Sequence, residues 1–407
     1  MNDRILRKYV PATPQGWTSR TIGDALEVID EPIRMSDDET YDLVSIRRRH
    51  GGLFHRESLP GRDILTKTLR RVIPGSFMIA RMQIVHGAAA YVTEEFAGSC
   101  VSKSYSQFKG RPGCDTKYFS FLAQHPLMAD YFMDSSQGVV IEKMTFDQNR
   151  WLGYKVVLPP LNEQRWIVDS IDAMDRQVLA TGSVLAKLRR TRKGMLEELV
   201  GRRVVNSCVD EAITGSPSNG IYKPASLIGS GALLIGQTAI TRDRLVDPRL
   251  GRRAAVSRAE LDRFGLRAGD LLVSRVFATV DGVGQPALIT SLDEPAVFES
   301  NMMRLRCDTS KADSRFLFLS LQTDRTRRHI ARQVNLSNQA SISQGALRAV
   351  PLWLPGLETQ ERIVAAISAI EDMCDIEERK LTKLRNERSG LLSDLLTGRV
   401  RAPLGAL

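Results

Sequence analysis

Residues 158–204 and 354–400 are two copies of one segment, and any fold for this chain must house both. They align without a gap at an offset of 196, with 18 of 47 positions identical. Shared landmarks are Leu158/Leu354, Gln164/Gln360, Ile167/Ile363, Lys187-Leu188-Arg189/Lys383-Leu384-Arg385, Gly194/Gly390 and Arg203-Val204/Arg399-Val400. So long a period excludes a solenoid and makes the chain two half-molecules in tandem. With 407 residues there is room for two or three domains, not one small core.

Each copy reads as one long helix. Pro159-Pro160 and Pro355 end a strand just before it. Apolar residues then recur at heptad spacing: Ile167, Ile171, Met174, Val178, Leu185, Leu188, Met195 and Leu199, then Ile363, Ile367, Ile370, Cys374, Leu381, Leu384, Leu391 and Leu395. The offset of 196 is a whole number of heptads, so both copies keep one register. About 40 residues at 1.5 Å rise give a rod of roughly 60 Å. Two seam positions are polar in both copies, Thr181/Glu377 and Arg192/Arg388. A buried charge needs a partner, so the expected antiparallel register sets Arg192 near Glu377 and Arg388 near Thr181.

The segments before the helices match more loosely. VIPGSFMIARMQIVHGAAAYV (72–92) parallels LRAGDLLVSRVFATVDGVGQPALI (266–289). In each, a turn glycine (Gly75, Gly269) precedes a short apolar strand that ends in arginine (Arg81, Arg275). Residues 117–132 and 314–330 read as short helices, followed by the polar loops SSQGVVIEKMTF and LSNQASISQGAL. The expected fold is α/β: two tandem α/β domains, joined and separated by two long helices that form an antiparallel coiled coil with a pseudo-two-fold internal repeat.

The string LPPLNEQRWIV with its helix ending KLRRTRKGMLEELVGRRV resembles the conserved regions of type I restriction–modification DNA specificity subunits. PQGW at 14–17 resembles the start of their first target-recognition domain, and GLRAGDLLVSR at 265–275 their second. The second helix reads LETQERI where the family pattern has NEQ, and PQGW has no clear counterpart in the second half. The resemblance implies target-recognition domains at 1–157 and 205–353, long conserved helices at 158–204 and 354–400, and a tail at 401–407. It also implies a non-catalytic subunit that reads a bipartite double-stranded DNA target. Its partners would be two methyltransferase subunits and, in the restriction form, motor-nuclease subunits. No cofactor is expected in this chain, S-adenosylmethionine being held by the methyltransferase.

The residues themselves agree with a reader rather than an enzyme. There is no phosphate loop, no H-E-x-x-H pair and no [DNS]PP[FYW] motif, since Leu161 follows Pro159-Pro160. Glu378-Arg379-Lys380 fits a nuclease-like E-x-K string but falls on the helix, where it reads as a solvated face. The histidines (His50, His55, His86, His125, His329) form no metal-ligand spacing, and the five cysteines form no CxxC pair, which points to a reducing cytoplasm. No apolar run reaches the length of a membrane span, so no membrane partner is expected. A net charge of +10 suits a polyanion.

Base edges are read by Arg, Lys, Asn, Gln and Ser on loops and strand ends, whose donors and acceptors match the grooves. The candidates are Arg47, Arg48, Arg49, Arg81, Lys103, Tyr105 and Gln137 in the first half, and Arg252, Arg253, Arg275, Asn338, Gln339 and Ser341 in the second. Arg81 and Arg275 lead because the repeat makes them equivalent. Three alternatives predict different outcomes: the same reader in a methylation-only or other defence complex, distinguished by which subunits copurify; a coiled-coil scaffold without salt-sensitive DNA affinity; and an enzyme that turns over alone.

Overall fold

A computed structural model describes residues 2–138, 144–336 and 339–403. The chain divides into two compact units, Met1–Thr181 with Lys380–Leu407, and Gly182–Arg379. The division falls inside both long helices, so each expected recognition domain is completed by half of each helix.

In the first unit an antiparallel four-stranded sheet runs in the order Leu26–Ile29, Tyr105–Gly110, Phe77–Ala80, Ala89–Tyr91. In the second the order is Ser218–Asn219, Met302–Leu305, Leu271–Ser274, Pro286–Leu288. The apolar runs FMIA and LLVS are therefore equivalent inner strands, and both are buried throughout. Each unit also pairs one strand antiparallel on one side and parallel on the other. These are Thr40–Ile46 between Leu53–Pro60 and Cys100–Ser102, and Ile228–Ile235 between Arg252–Ala254 and Ala296–Phe298. The two single helices expected at 117–132 and 314–330 are each broken in two: Thr116–Leu122 and Pro126–Asp134, then Ser314–Ser320 and Asp324–Arg332. A helix Asn2–Tyr9 was not anticipated.

The strand before each long helix forms as expected. Lys155–Leu158 pairs with Thr18–Thr21, and Pro351–Leu352 with Ser207–Cys208. The repeat's shared glutamines lock the corner that follows. Gln164, fully buried, donates to Gly113 O and Pro159 O (2.9 and 2.8 Å) and accepts from Asp115 N–H at 2.7 Å. Gln360 does the same with Lys311 O, Pro355 O and Asp313 N–H (2.8, 2.7 and 2.8 Å). A buried amide that satisfies three backbone groups explains why both copies carry it. The Trp17 indole of PQGW donates to Glu163 of NEQ at 3.2 Å, so those two motifs are one contact.

The long helices span Leu161–Leu196, continued by one wider π turn over Glu197–Gly201, and Leu357–Leu396. Both end a few residues before the expected limits of 204 and 400. Ile167, Ile171, Leu185, Ile363, Ile367, Leu381 and Leu395 are buried, while Met174, Leu188, Leu199, Ile370 and Leu384 are half-buried. The seam is domain core at its ends. In the first unit Ile167 and Ile171 share one cluster with Phe77, Trp151, Leu392, Leu395 and Leu396. In the second, Ile363 and Ile367 cluster with Leu196 and Val200. The start of one helix thus packs beside the end of the other, and the pair is antiparallel within each unit.

The polar register differs from the expected one. Arg388 forms a bidentate pair with Asp175 (2.7 and 3.0 Å), not a contact with Thr181. Arg192 pairs with Glu371 (2.8 Å), not Glu377. Both shifts are six residues, and Asp175 and Glu371 are themselves repeat counterparts. The terminal leucines seated in the domain cores set this register. Among the described residues no helix is long and apolar enough to cross a membrane.

Candidate nucleic-acid interface

Strand Phe77–Ala80 leaves the core at Arg81, whose N–H donates to Ser104 O at 3.0 Å. The half-buried Arg81 side chain lines a groove of about 550 Å³ with Met82, Lys103, Ser104, Thr145 and Phe146. It also borders an adjoining hollow of about 470 Å³ lined by Gln137, Gln148 and Asn149. Arg81 and Lys103, in turns at strand ends, and Gln137, on a strand paired with Thr145–Phe146, thus border these adjoining hollows, and base reading uses such residues at strand ends. No other described residue hydrogen-bonds the Arg81 guanidinium. Part of the expected polar loop, residues 139–143, lies outside the described residues.

The hairpin Arg47–Gly52 leans on the loop after Arg81. Arg48 Nε donates to Gln83 Oε1 at 2.7 Å. Arg47 is turned back onto its own hairpin, stacked 4.4 Å over Phe54 and donating to Leu53 O at 3.3 Å. Arg49 is exposed and its guanidinium has no partner among the described residues. Tyr105 is tied to Ser45 Oγ at 2.9 Å, so its hydroxyl holds one strand to another.

In the second unit strand Leu271–Ser274 ends at Arg275, whose N–H donates to Asn301 O (2.9 Å) and whose carbonyl accepts from Ile342 N–H (3.0 Å). Its Nε also donates to Ser300 O at 3.1 Å, leaving only the guanidinium's outer edge for a ligand. Val276–Phe277 pairs with Ala340–Ser341, which sets Ser341 opposite Val276 and brings Gln339 to the same edge. Asn338 lies outside the described residues.

Arg252 and Arg253 are engaged within the chain. Arg252 pairs with Glu299, and Arg253 forms a bidentate pair with Glu294 (2.5 and 2.7 Å). They sit on strand Arg252–Ala254 and brace their own sheet.

Helix Asp324–Arg332 was missed as a basic surface, although RTRRHIAR was its signal. Arg325 and Arg327 turn inward, to Gly201 O and to Asp281 O and Val283 O. Burial and the nearby Arg244 charge pull Arg327 down to about 10. Arg328 and Arg332, one turn apart, are exposed. The first unit's equivalent helix, PLMADYFMD, has no cation. Among the described residues no cluster of histidine, cysteine and carboxylate is arranged to hold a metal.

Residues 278–386 match the type I restriction modification DNA specificity domain. The chain is 19% identical over 272 residues to the type I restriction enzyme MjaVIII specificity subunit of Methanocaldococcus jannaschii, covering 63% of this chain and 64% of that protein. It therefore spans less than two thirds of that relative's length. In fold it is similar to a structure described as showing the basis of complex assembly and conformational transition of the type I R-M system (TM-score 0.63, 18% identity, 96% of this chain and 100% of that one). It is also similar to the type I restriction-modification S subunit of M. genitalium (TM-score 0.56, 10% identity, 93% and 96%). With the duplicated helix motif and the two equivalent strand-to-arginine exits, the chain is similar to type I restriction–modification DNA specificity subunits, in sequence at the specificity domain of residues 278–386 and in fold.

Proposed function

We propose that the chain is the DNA-reading specificity subunit of a type I restriction–modification complex. Each unit reads one half of a bipartite duplex target, the first through Arg81, Lys103 and Gln137, the second through Arg275, Gln339 and Ser341. The observation that carries this reading is the repeated exit of a buried strand into an arginine at the same place in two sheets of equal topology. Sequence is read where rigid elements deliver bidentate donors, and Arg is the commonest reader of guanine. Exposed Arg328 and Arg332 supply phosphate contacts that position the second unit without reading bases.

The two long helices, antiparallel and continuous from one unit into the other, are the coiled coil that joins the readers, keeps them apart and scaffolds two methyltransferase subunits. In the restriction form motor-nuclease subunits join as well. S-adenosylmethionine belongs to the methyltransferase, and this subunit is non-catalytic. A tagged full-length chain is expected to copurify with a large methyltransferase subunit, and the complex, not the chain alone, is expected to methylate duplex DNA. Methyl transfer by the chain alone, or purification without a large partner, would contradict this reading.

A further inference from the structure

Among the described residues, only three non-glycine residues adopt a left-handed backbone: Arg49 (φ 57°), His50 (φ 54°) and Arg244 (φ 62°). All three lie on one kind of segment. Residues 47–52 connect strand Thr40–Ile46 to Leu53–Pro60. Residues 236–251 connect Ile228–Ile235 to Arg252–Ala254. These strand pairs occupy the same place in their units, since the first strand of each also pairs in parallel with a third.

The two connections dock at opposite ends of equivalent strands: the first at the Arg81 end, the second opposite Leu271, away from Arg275, with Arg244 half-buried near Arg327. Arg49 N–H donates to His86 O (2.7 Å) and His50 N–H to Gly87 O (2.8 Å), just before strand Ala89–Tyr91. In the second unit Leu288 N–H donates to Arg244 O and Val246 N–H to Leu288 O, both at 3.0 Å, on the equivalent strand Pro286–Leu288. Those strands follow the loops that leave Arg81 and Arg275. A β-carbon in the left-handed region crowds the following carbonyl, and glycine would take the same backbone without that clash. Only the side chain distinguishes arginine there, and neither guanidinium has a hydrogen bond or ion pair with another described residue. Strain of this kind collects where a side chain must be presented for function.

We propose that Arg49 is a specificity-determining residue for the first half of the DNA target, presented by a latched left-handed connection beside Arg81. This rests on the reading of the chain as a DNA specificity subunit. Arg48, through Gln83, and the ring of His50, packed over Gly87, hold the first connection in place.

The test is selection from a randomised duplex DNA library by the full chain with its copurifying subunits, run in parallel with thermal unfolding. The parent is expected to enrich a two-part motif. Arg49→Gly should melt at or above the parent temperature yet lose discrimination at one part by about tenfold, keeping the other. A variant that enriches the parent motif, that blurs both parts, or that melts well below the parent overturns the proposal, the last by making the arginine structural. If the parent binds no DNA and enriches no motif, the specificity-subunit reading itself fails, an outcome distinct from the others.

Discussion

Replacing Arg401 by alanine is expected to destabilise the first unit by about 3 kcal/mol. Glu163 is 1% exposed, and its carboxylate accepts from Arg401 Nε and Nη2 (2.6 and 2.9 Å) and from the Trp17 indole (3.2 Å). Arg401 also donates to Gln15 O at 2.9 Å and lies 5.6 Å from the Trp17 ring centroid. Removing the guanidinium leaves a buried carboxylate with one neutral donor. The loss sits at the lower end of the range for broken buried pairs because the Arg401 side chain keeps 36% of its exposure. Denaturant unfolding followed by tryptophan emission measures it. Removing both charges, as in Glu163→Leu with Arg401→Met, should recover much of the loss. A single-variant effect below about 1 kcal/mol would mean that water or another group already satisfies Glu163.

Arg81→Ala should reduce discrimination for one half-site by about 1–3 kcal/mol and leave the other half-site unchanged. Its guanidinium makes no hydrogen bond with the described residues, so the melting temperature should barely move. Arg275→Ala should show the same selective loss at the other half-site, with an added stability loss of about 1 kcal/mol from the broken bond to Ser300 O. Competition between the cognate duplex and duplexes altered in one half checks both. Unchanged discrimination in either variant removes that arginine from the reading edge.

The parts of this molecule that were legible in the sequence are those where one short pattern has one physical outcome. The heptad seam gave two long helices, and FMIAR and LLVSR gave two buried strands leaving the core at an arginine. The helix register was not legible, because it is set by Leu392, Leu395 and Leu396 seating in a distant core rather than by the polar seam positions. Arg252 and Arg253 looked free because Glu299 and Glu294 lie more than 40 residues away in sequence. Glu163 and Trp17 were read as separate motifs, though they are two ends of one hydrogen bond.

The dependence of DNA affinity on salt tests the central claim most directly. The full chain, with the subunits that copurify with it, would be titrated against fluorescent duplex DNA over a range of salt concentrations. A reader that neutralises several phosphates should lose on the order of a thousandfold in affinity between about 50 and 200 mM salt, with a log–log slope near −0.9 per phosphate contacted. Affinity that is absent, or flat across that range, would contradict the claim that this protein reads DNA.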